Sequence, residues 1–334
     1  MQQQKGKDND EMIKLNPIFC DNMIMQAGKP VRVFGTGAGT VKITLDNETK
    51  SVQADGKWLV EFPQKPYGGP YTITVTTEDN AQIIKDIYFG DVYFLGGQSN
   101  MQLKLAQTNY PAENFAGNDF VRLYTVDRLE DEEHYHAKDG WVALTKDSAQ
   151  YFSALGYHIA QAQATSERRI GLIACYQGAS VIQTWLPKQV AEREEFIEAK
   201  PLHSLSLYPL WNGDGCLFEY QTSTILPYSI STVIYYQGEA NAMEGVKYYE
   251  LLKALVESWR EAFIDEKLKL VIIQLANLKG FEGEQGWKRV QADQLRAGET
   301  LDGVKTVISK DVCEDDDIHP PTKTLLAKRI VEAL

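Results

Sequence analysis

A serine and a histidine at opposite ends of the chain carry the chemistry. Ser99 follows Val92-Tyr93-Phe94-Leu95-Gly96-Gly97-Gln98, an apolar strand pattern that ends in two glycines. A hydroxyl on a tight turn just past a buried strand is open to close approach by backbone amides, the setting of an acyl-transfer nucleophile. The competing reading is a glycine turn with an incidental serine. A second feature weighs against it: Asp315-Asp316-Asp317-Ile318-His319-Pro320-Pro321 places a histidine after three carboxylates and before two prolines that stiffen the backbone. A neutral imidazole takes a serine proton when its other nitrogen is held and its cation is stabilised by a carboxylate. Asp316 and Asp317, three and two residues upstream of His319, can both do this from the same loop. The other histidines fit less well. His134 and His136 lie in the acidic stretch LEDEEHYHAKDG and read as surface loop, His158 in SALGYHIAQAQA reads as helix, and His203 reads as loop.

These residues need a scaffold, and the pattern of elements supplies one. From 15 to 87 the chain reads as short alternating strands, VRVFGTG, TVKITLDN, KSVQADGKWLVEFP and YTITVTTE, separated by turn residues. This spacing predicts a small β-sandwich, with Asp55-Gly56 as a hairpin turn feeding the strand of Trp58. Residues 88–334 alternate strands (DVYFLGG, VRLYTV, RIGLIACYQG, TVIYYQGE, LKLVIIQLA, VKTVIS) with helical stretches. The predicted helices are FSALGYHIAQAQATS, PLWNGDGCLFEYQTSTILPY, VKYYELLKALVESWREAF, KRVQADQLRAGE and PTKTLLAKRIVEAL. Such alternation implies a parallel sheet covered on both faces, with ligands at the carboxyl ends of its strands. Ser99 follows the first strand, Gly178 follows GLIACYQ, Gln237-Gly238-Glu239-Ala240-Asn241 follows TVIYY, and the Asp/His loop follows VKTVIS. Turn propensity explains any one of these, but four on one sheet edge make a site.

Composition limits the partners. The 334 residues suffice for about two domains, preceded by a polar tail at 1–14. No apolar run is long enough to span a membrane, and the start MQQQKGKDNDEM lacks the apolar core of a secretory signal, so a cytoplasmic location is expected; a secreted form whose signal has been removed would read the same way. The net charge of −12 without a Lys/Arg stripe argues against nucleic acid or an anionic membrane and for a neutral substrate. Cys20, Cys175, Cys216 and Cys313 show no metal-ligand spacing, so reduced thiols and no metal or cofactor are expected. Oligomeric state is not legible.

GDVYFLGGQSNM, YYQGEANA and DIHPP, in this order and spacing, resemble the sialate O-acetylesterase family, a branch of the SGNH hydrolases. FCDNMIMQ before KPVRVFGTG, DGKW, GGPYTITV, RIGLI, the Ser-Trp-Arg ending at Arg260 and VIIQLA extend the resemblance from Leu15 to Leu334. The resemblance implies a flavodoxin-like three-layer α/β/α domain after the β-domain, and metal-independent removal of acetyl groups from sugars. It makes Ser99 the nucleophile, His319 the base, and the amides of Ser99 and Gly178 oxyanion donors. A side-chain carboxamide completes the oxyanion hole, Gln237 before Asn241. The spacing of the wider superfamily favours Asp316 as the acid, and that of closer relatives Asp317. Glu239 stands beside the site, holding the loop or paired with an arginine. Tyr235, Tyr236, Trp185 and Trp287 could stack on the rings of an acetylated carbohydrate. Tyr235 and Tyr236 read first as core strand residues, with one of them facing the site. Trp185 is the better platform candidate, with burial under a helix an equal alternative. A glycan-binding protein on a vestigial esterase fold is the rival reading, and the intact Ser, His and Asp argue against it. A lipid or thioester hydrolase would need an apolar lid that the sequence lacks.

Overall fold

The computed structural model describes residues 12–78, 80–129, 134–243 and 246–334, which form a mixed α/β architecture around a 12-stranded sheet. The chain enters through β1 (Lys14–Leu15) and β2 (Ile24–Gln26), then runs out and back in a long hairpin, β3 (Val31–Leu45) and β4 (Glu48–Phe62). Alternate hairpin residues, among them Val33, Val41, Ile43, Val60 and Phe62, are buried, the period of a half-covered strand. Leu45 pairs with Glu48, which leaves Asp46-Asn47 as the turn, with Asp46 at φ 56°. The turn expected at Asp55-Gly56 does not form; both residues lie inside the ladder, opposite Ala38 and Gly37. Glycine at 37 is required there, because its φ is 116° and a Cβ would lie 2.3 Å from the Met12 carbonyl oxygen. Most of the expected N-terminal tail lies outside the described residues, but Lys14 already pairs with Thr36 in the sheet.

β5 (Gly68–Thr76) and β6 (Ala81–Gly97) close this antiparallel unit. β6 is the joint of the molecule. Its first part runs antiparallel to β5, and its second part, from Asp91 to Gly97, lies parallel to a later strand. The boundary expected at 87/88 therefore falls inside a continuous strand. The all-β character of the N-terminal region holds, as one ladder hydrogen-bonded into the main sheet. Arg32, buried in this unit, donates to the carbonyls of Phe263 and Ile264, each at 2.9 Å. Those carbonyls follow the helix Tyr248–Ala262, where a cation is favoured by the helix dipole.

The remaining strands are β7 (Asn118–Thr125), β8 (Val142–Leu144), β9 (Ile170–Tyr176), β10 (Thr232–Tyr236), β11 (Lys269–Ile273) and β12 (Val304–Val307). Across the sheet they run β7, β9, β6, β10, β11, β12, all parallel, with β8 antiparallel on β7. Every residue of β9 and β10 is buried, so both faces of the centre are covered, as parallel strands require. On the helix Tyr248–Ala262 the residues Tyr248, Leu251, Leu252, Leu255 and Trp259 are buried at helical spacing, and Trp259 meets Phe94 and Tyr235 edge-on. The helices expected near 246–263, 288–299 and 321–334 form, as Tyr248–Ala262, Glu284–Thr300 and Thr324–Ala333. The long helix expected over 209–228 does not. Only Cys216–Tyr220 and one further turn are helical, because Gly215 stands at φ 74° and a Cβ there would lie 2.6 Å from the Lys188 Cα. Among the described residues no helix is long and apolar enough to cross a membrane.

Candidate active site

Register aligns the site. Gly97 at the end of β6 is paired with Tyr176 of β9 on one side and Tyr236 of β10 on the other. The segments that begin at Gln98, Gln177 and Gln237 therefore leave the sheet side by side. Gly97 has φ 122°, and a Cβ would lie 2.1 Å from the Tyr236 carbonyl oxygen, so no larger residue fits under the turn. The chain then starts a short helix, Ser99–Gln102, with Ser99 as its first residue. Its Oγ lies 2.8 Å from Nε2 of His319. The two groups that the sequence singled out are in hydrogen-bonding contact.

Gly178 lies next to Ser99: a Cβ built on it would be 3.8 Å from the serine Cβ. Among the described residues the backbone amides of Ser99 and Gly178 donate to no carbonyl. Two free N–H groups beside a hydroxyl held by an imidazole can stabilise an oxyanion. The carboxamide donor expected at Gln237 or Asn241 is not available. Gln237 is fully buried and its Nε2 is spent on Gln98 Oε1, the Ser180 carbonyl and Asn241 Oδ1, at 3.2, 3.0 and 2.8 Å. Asn241 Nδ2 donates to Gln183 Oε1 at 2.9 Å. Both side chains hold loops together below the site. Gln98 lines the cavity instead; its Oε1 accepts from Gln237 and from the amides of Gly238 and Ala240. The Nε2 of Gln98 donates to no acceptor among the described residues, and the residue lies beside Ser99 in the chain.

The histidine loop is held by Asn100. This residue is 2% exposed, and its Nδ2 donates to the Ile318 carbonyl at 2.8 Å and to Glu239 Oε1 at 2.6 Å, while its Oδ1 accepts from Lys323 Nζ at 2.8 Å. Glu239 thus stands beside the site as expected, but its partner is an asparagine rather than an arginine. Burial raises its carboxyl above the usual range, against the Asn100 bond and the Lys323 charge. Burial also pulls the Lys323 ammonium down to about 8. The His319 imidazole is lowered, first by burial and then by the Lys323 cation, with Asp317 opposing. A lowered histidine stays neutral, and able to accept a proton, further into acid. Replacing Lys323 by methionine removes a charge that disfavours the imidazolium, so the acid limb of the pH–rate profile should move to higher pH; an unmoved limb would separate Lys323 from His319.

The three aspartates separate. Asp315 pairs with Lys279 at 2.9 Å. Asp316 is exposed and makes no hydrogen bond to His319, so the preference for it over Asp317 does not hold. Asp317 Oδ1 accepts the His319 backbone N–H at 2.8 Å and is the carboxylate that raises the imidazole pKa. Among the described residues no group of three or more His, Cys, Asp or Glu side chains is arranged to hold a metal.

The cavity over Ser99 measures about 420 Å³ and is walled by Gly178, Tyr208, Trp211, Glu239 and His319 among others. None of the four aromatic candidates faces it: Trp185 takes its alternative, burial, and Tyr235 and Tyr236 are both core, with neither turned to the site. Trp185 is fully buried, its Nε1 donating to Ser180 Oγ at 2.9 Å and its carbonyl accepting from Trp259. Tyr235, Tyr236 and Trp287 are likewise core. Tyr208 and Trp211 form an aromatic wall, Trp211 from the segment expected as a helix; the Asn-Gly-Asp-Gly run after Trp211 is the signal that this segment turns. His203 belongs to the short helix Leu202–Leu207 and lines the cavity. His158 lies on a helix as expected, its ring lowered to about 4 by burial.

The family model for sialic acid-specific acetylesterases among the carbohydrate esterases matches residues 89–334. The chain belongs to this family. Like other members of the sialic acid-specific acetylesterase family it is a carboxylic ester hydrolase. It is 26% identical to the sialate O-acetylesterase of Homo sapiens over 370 residues, covering 93% of this chain and 68% of the human protein. With the sialate O-acetylesterase of Mus musculus it shares 23% over 386 residues, 93% of this chain and 71% of the relative. A solved carbohydrate acetylesterase from Xanthomonas citri superimposes with a TM-score of 0.83 at 26% identity, covering 96% of this chain and 74% of that one.

Proposed function

We propose that this acetylesterase-family enzyme removes O-acetyl groups from sugar hydroxyls by acyl transfer, with Ser99 as nucleophile and His319 as general base. The observation that carries the reading is the 2.8 Å contact between Ser99 Oγ and His319 Nε2 at the floor of the cavity. The serine oxygen attacks the acetyl carbonyl as its proton passes to Nε2. The tetrahedral oxyanion lies against the amides of Ser99 and Gly178, with Gln98 Nε2 as third donor. His319 then returns the proton to the departing sugar oxygen, and water repeats the sequence on the acetyl-enzyme. Acetate release measured across O-acetylated sialic acid, xylan oligosaccharides and mannan oligosaccharides tests the reading; no release from any of them, with simple acetyl esters also intact, would refute it.

Asp317 is the acid of this proposal, acting on the imidazolium through space and fixing the loop through the His319 amide. Because it is exposed, water screens part of its field. Asp317→Asn should therefore lower kcat by only about tenfold, well short of the roughly 10⁴-fold expected for a buried triad acid, and Asp316→Asn should lie near wild type. The reverse ranking would return the role to Asp316.

A further inference from the structure

Three residues that line the cavity over Ser99 carry polar atoms that the fold leaves without partners. Gln102 Oε1, Trp211 Nε1 and Glu239 Oε2 are shielded from solvent and make no hydrogen bond, and all three residues line this one cavity. Trp211 is 3% exposed and Glu239 is 6%. Buried polar atoms without partners cost stability and are uncommon in native proteins. The Ser99–His319 contact does not use them: Glu239 serves Asn100 through its other oxygen, and neither Gln102 nor Trp211 bonds to Ser99 or His319.

The groups are also held in place. Asn212, next to Trp211, donates to the Ala179 carbonyl at 3.0 Å and the Ser204 carbonyl at 3.2 Å, and accepts from the Val181 amide at 3.0 Å. Ser204 Oγ donates to the Ala240 carbonyl at 2.6 Å, one residue beyond Glu239. The indole is thereby tied to both the Gly178 loop and the Glu239 loop. Tyr208 stacks on Trp211 with ring centres 5.3 Å apart and planes at 23°, extending the wall to the rim. Gln102 Oε1 lies 3.2 Å from the point a Cβ of Gly178 would occupy, a point itself 3.8 Å from the Ser99 Cβ.

Two acceptors, one N–H donor and an aromatic wall fit the surface of a polyhydroxylated ring. Hydroxyls donate to carboxylate and carboxamide oxygens, another sugar oxygen accepts from the indole, and the apolar ring face lies on the aromatic pair. An alkyl or aryl leaving group answers none of the three atoms. We propose that Gln102, Trp211 and Glu239 are the residues that recognise the free hydroxyls of the sugar from which the acetyl group is removed, and so set the preference for acetylated sugars over simple acetyl esters. The inference rests on the ester hydrolysis proposed above.

The test compares kcat/KM of the full chain for an acetylated sugar and for 4-methylumbelliferyl acetate, whose leaving group has no free hydroxyl. The sugar is the better substrate of 9-O-acetyl sialic acid and a monoacetylated methyl xyloside. Trp211→Phe keeps a ring against Tyr208 and removes only the N–H. Glu239→Gln keeps an acceptor for Asn100 and turns the free oxygen into a donor. The ratio of sugar-ester to aryl-ester kcat/KM should fall about fivefold in Trp211→Phe and roughly tenfold or more in Glu239→Gln, mainly through KM. A wild-type ratio in either variant, including one produced by equal losses on both substrates, removes that residue from the recognition set, and a wild-type ratio in both overturns the proposal. A wild-type enzyme that splits the aryl ester and neither sugar ester overturns it while leaving ester hydrolysis intact. Cleavage of no ester at all overturns the function reading as well.

Discussion

Ser99→Ala is expected to lower kcat for acetyl ester hydrolysis by about 10⁴–10⁶-fold while the fold is unchanged. The size follows from the two-step chemistry: without the hydroxyl no acetyl-enzyme forms, and what remains is the stabilisation offered by the amides of Ser99 and Gly178. The fold should survive because the side chain makes one hydrogen bond, to His319, and its removal uncovers no buried charge. Circular dichroism and thermal unfolding should match wild type, and acetate release should be at background. Wild-type-like turnover in this variant would remove the nucleophile and with it the mechanism. Double replacement with His319→Ala should add little to the single loss, since residues that act as a unit are not additive.

Both members of that pair were legible in the sequence, and the reason is local. Gly96-Gly97 before Ser99 and the prolines after His319 are backbone constraints that any reader of the chain can see, and the strand pattern fixes which edge they reach. The parallel order was legible for the same reason: apolar runs such as Ile170–Tyr176 and Thr232–Tyr236 can be satisfied only by cover on both faces. What misled was chemistry that depends on orientation. Gln237 and Asn241 stand at the expected strand end, yet their carboxamides turn inward to Ser180 and Gln183. The spacing of residues in sequence does not say which way a side chain leaves a loop. Trp185 was undecided for the same reason, since a tryptophan just past a strand end can lie under a helix as easily as over a pocket, and it is buried. Trp211 was hidden because Leu-Trp before a turn resembles a helix start until glycine at 215 is known to adopt positive φ. Asn100 and Lys323 were missed because an asparagine after a serine and a lysine before a helix are ordinary residues. Their meaning arises only where the first and last loops of the catalytic region meet.

That meeting point gives the second large effect. Asn100→Ala should both destabilise the protein and disable it, although Asn100 touches neither Ser99 Oγ nor the His319 ring. Among the described residues its side chain is the one hydrogen-bond acceptor for the Lys323 ammonium, and it is the donor to both Glu239 and the Ile318 carbonyl. With Lys323 only 1% exposed, truncation leaves a buried cation and a buried carboxyl facing a cavity, a loss on the order of 3 kcal/mol. Thermal unfolding should fall by roughly 6 °C on that basis. The activity effect comes from position: Ile318 precedes His319, and freeing its carbonyl lets the imidazole drift from the serine. A displacement of about 1 Å at a reacting pair costs about 100-fold in rate, so kcat should drop by that factor with KM little changed. The two effects have separate signatures. If the lost activity were only unfolding, assay at a temperature well below the new midpoint would restore it. A persistent kcat defect in fully folded protein is the expected result, and full kcat in a folded Asn100→Ala variant would show that the His319 loop holds itself.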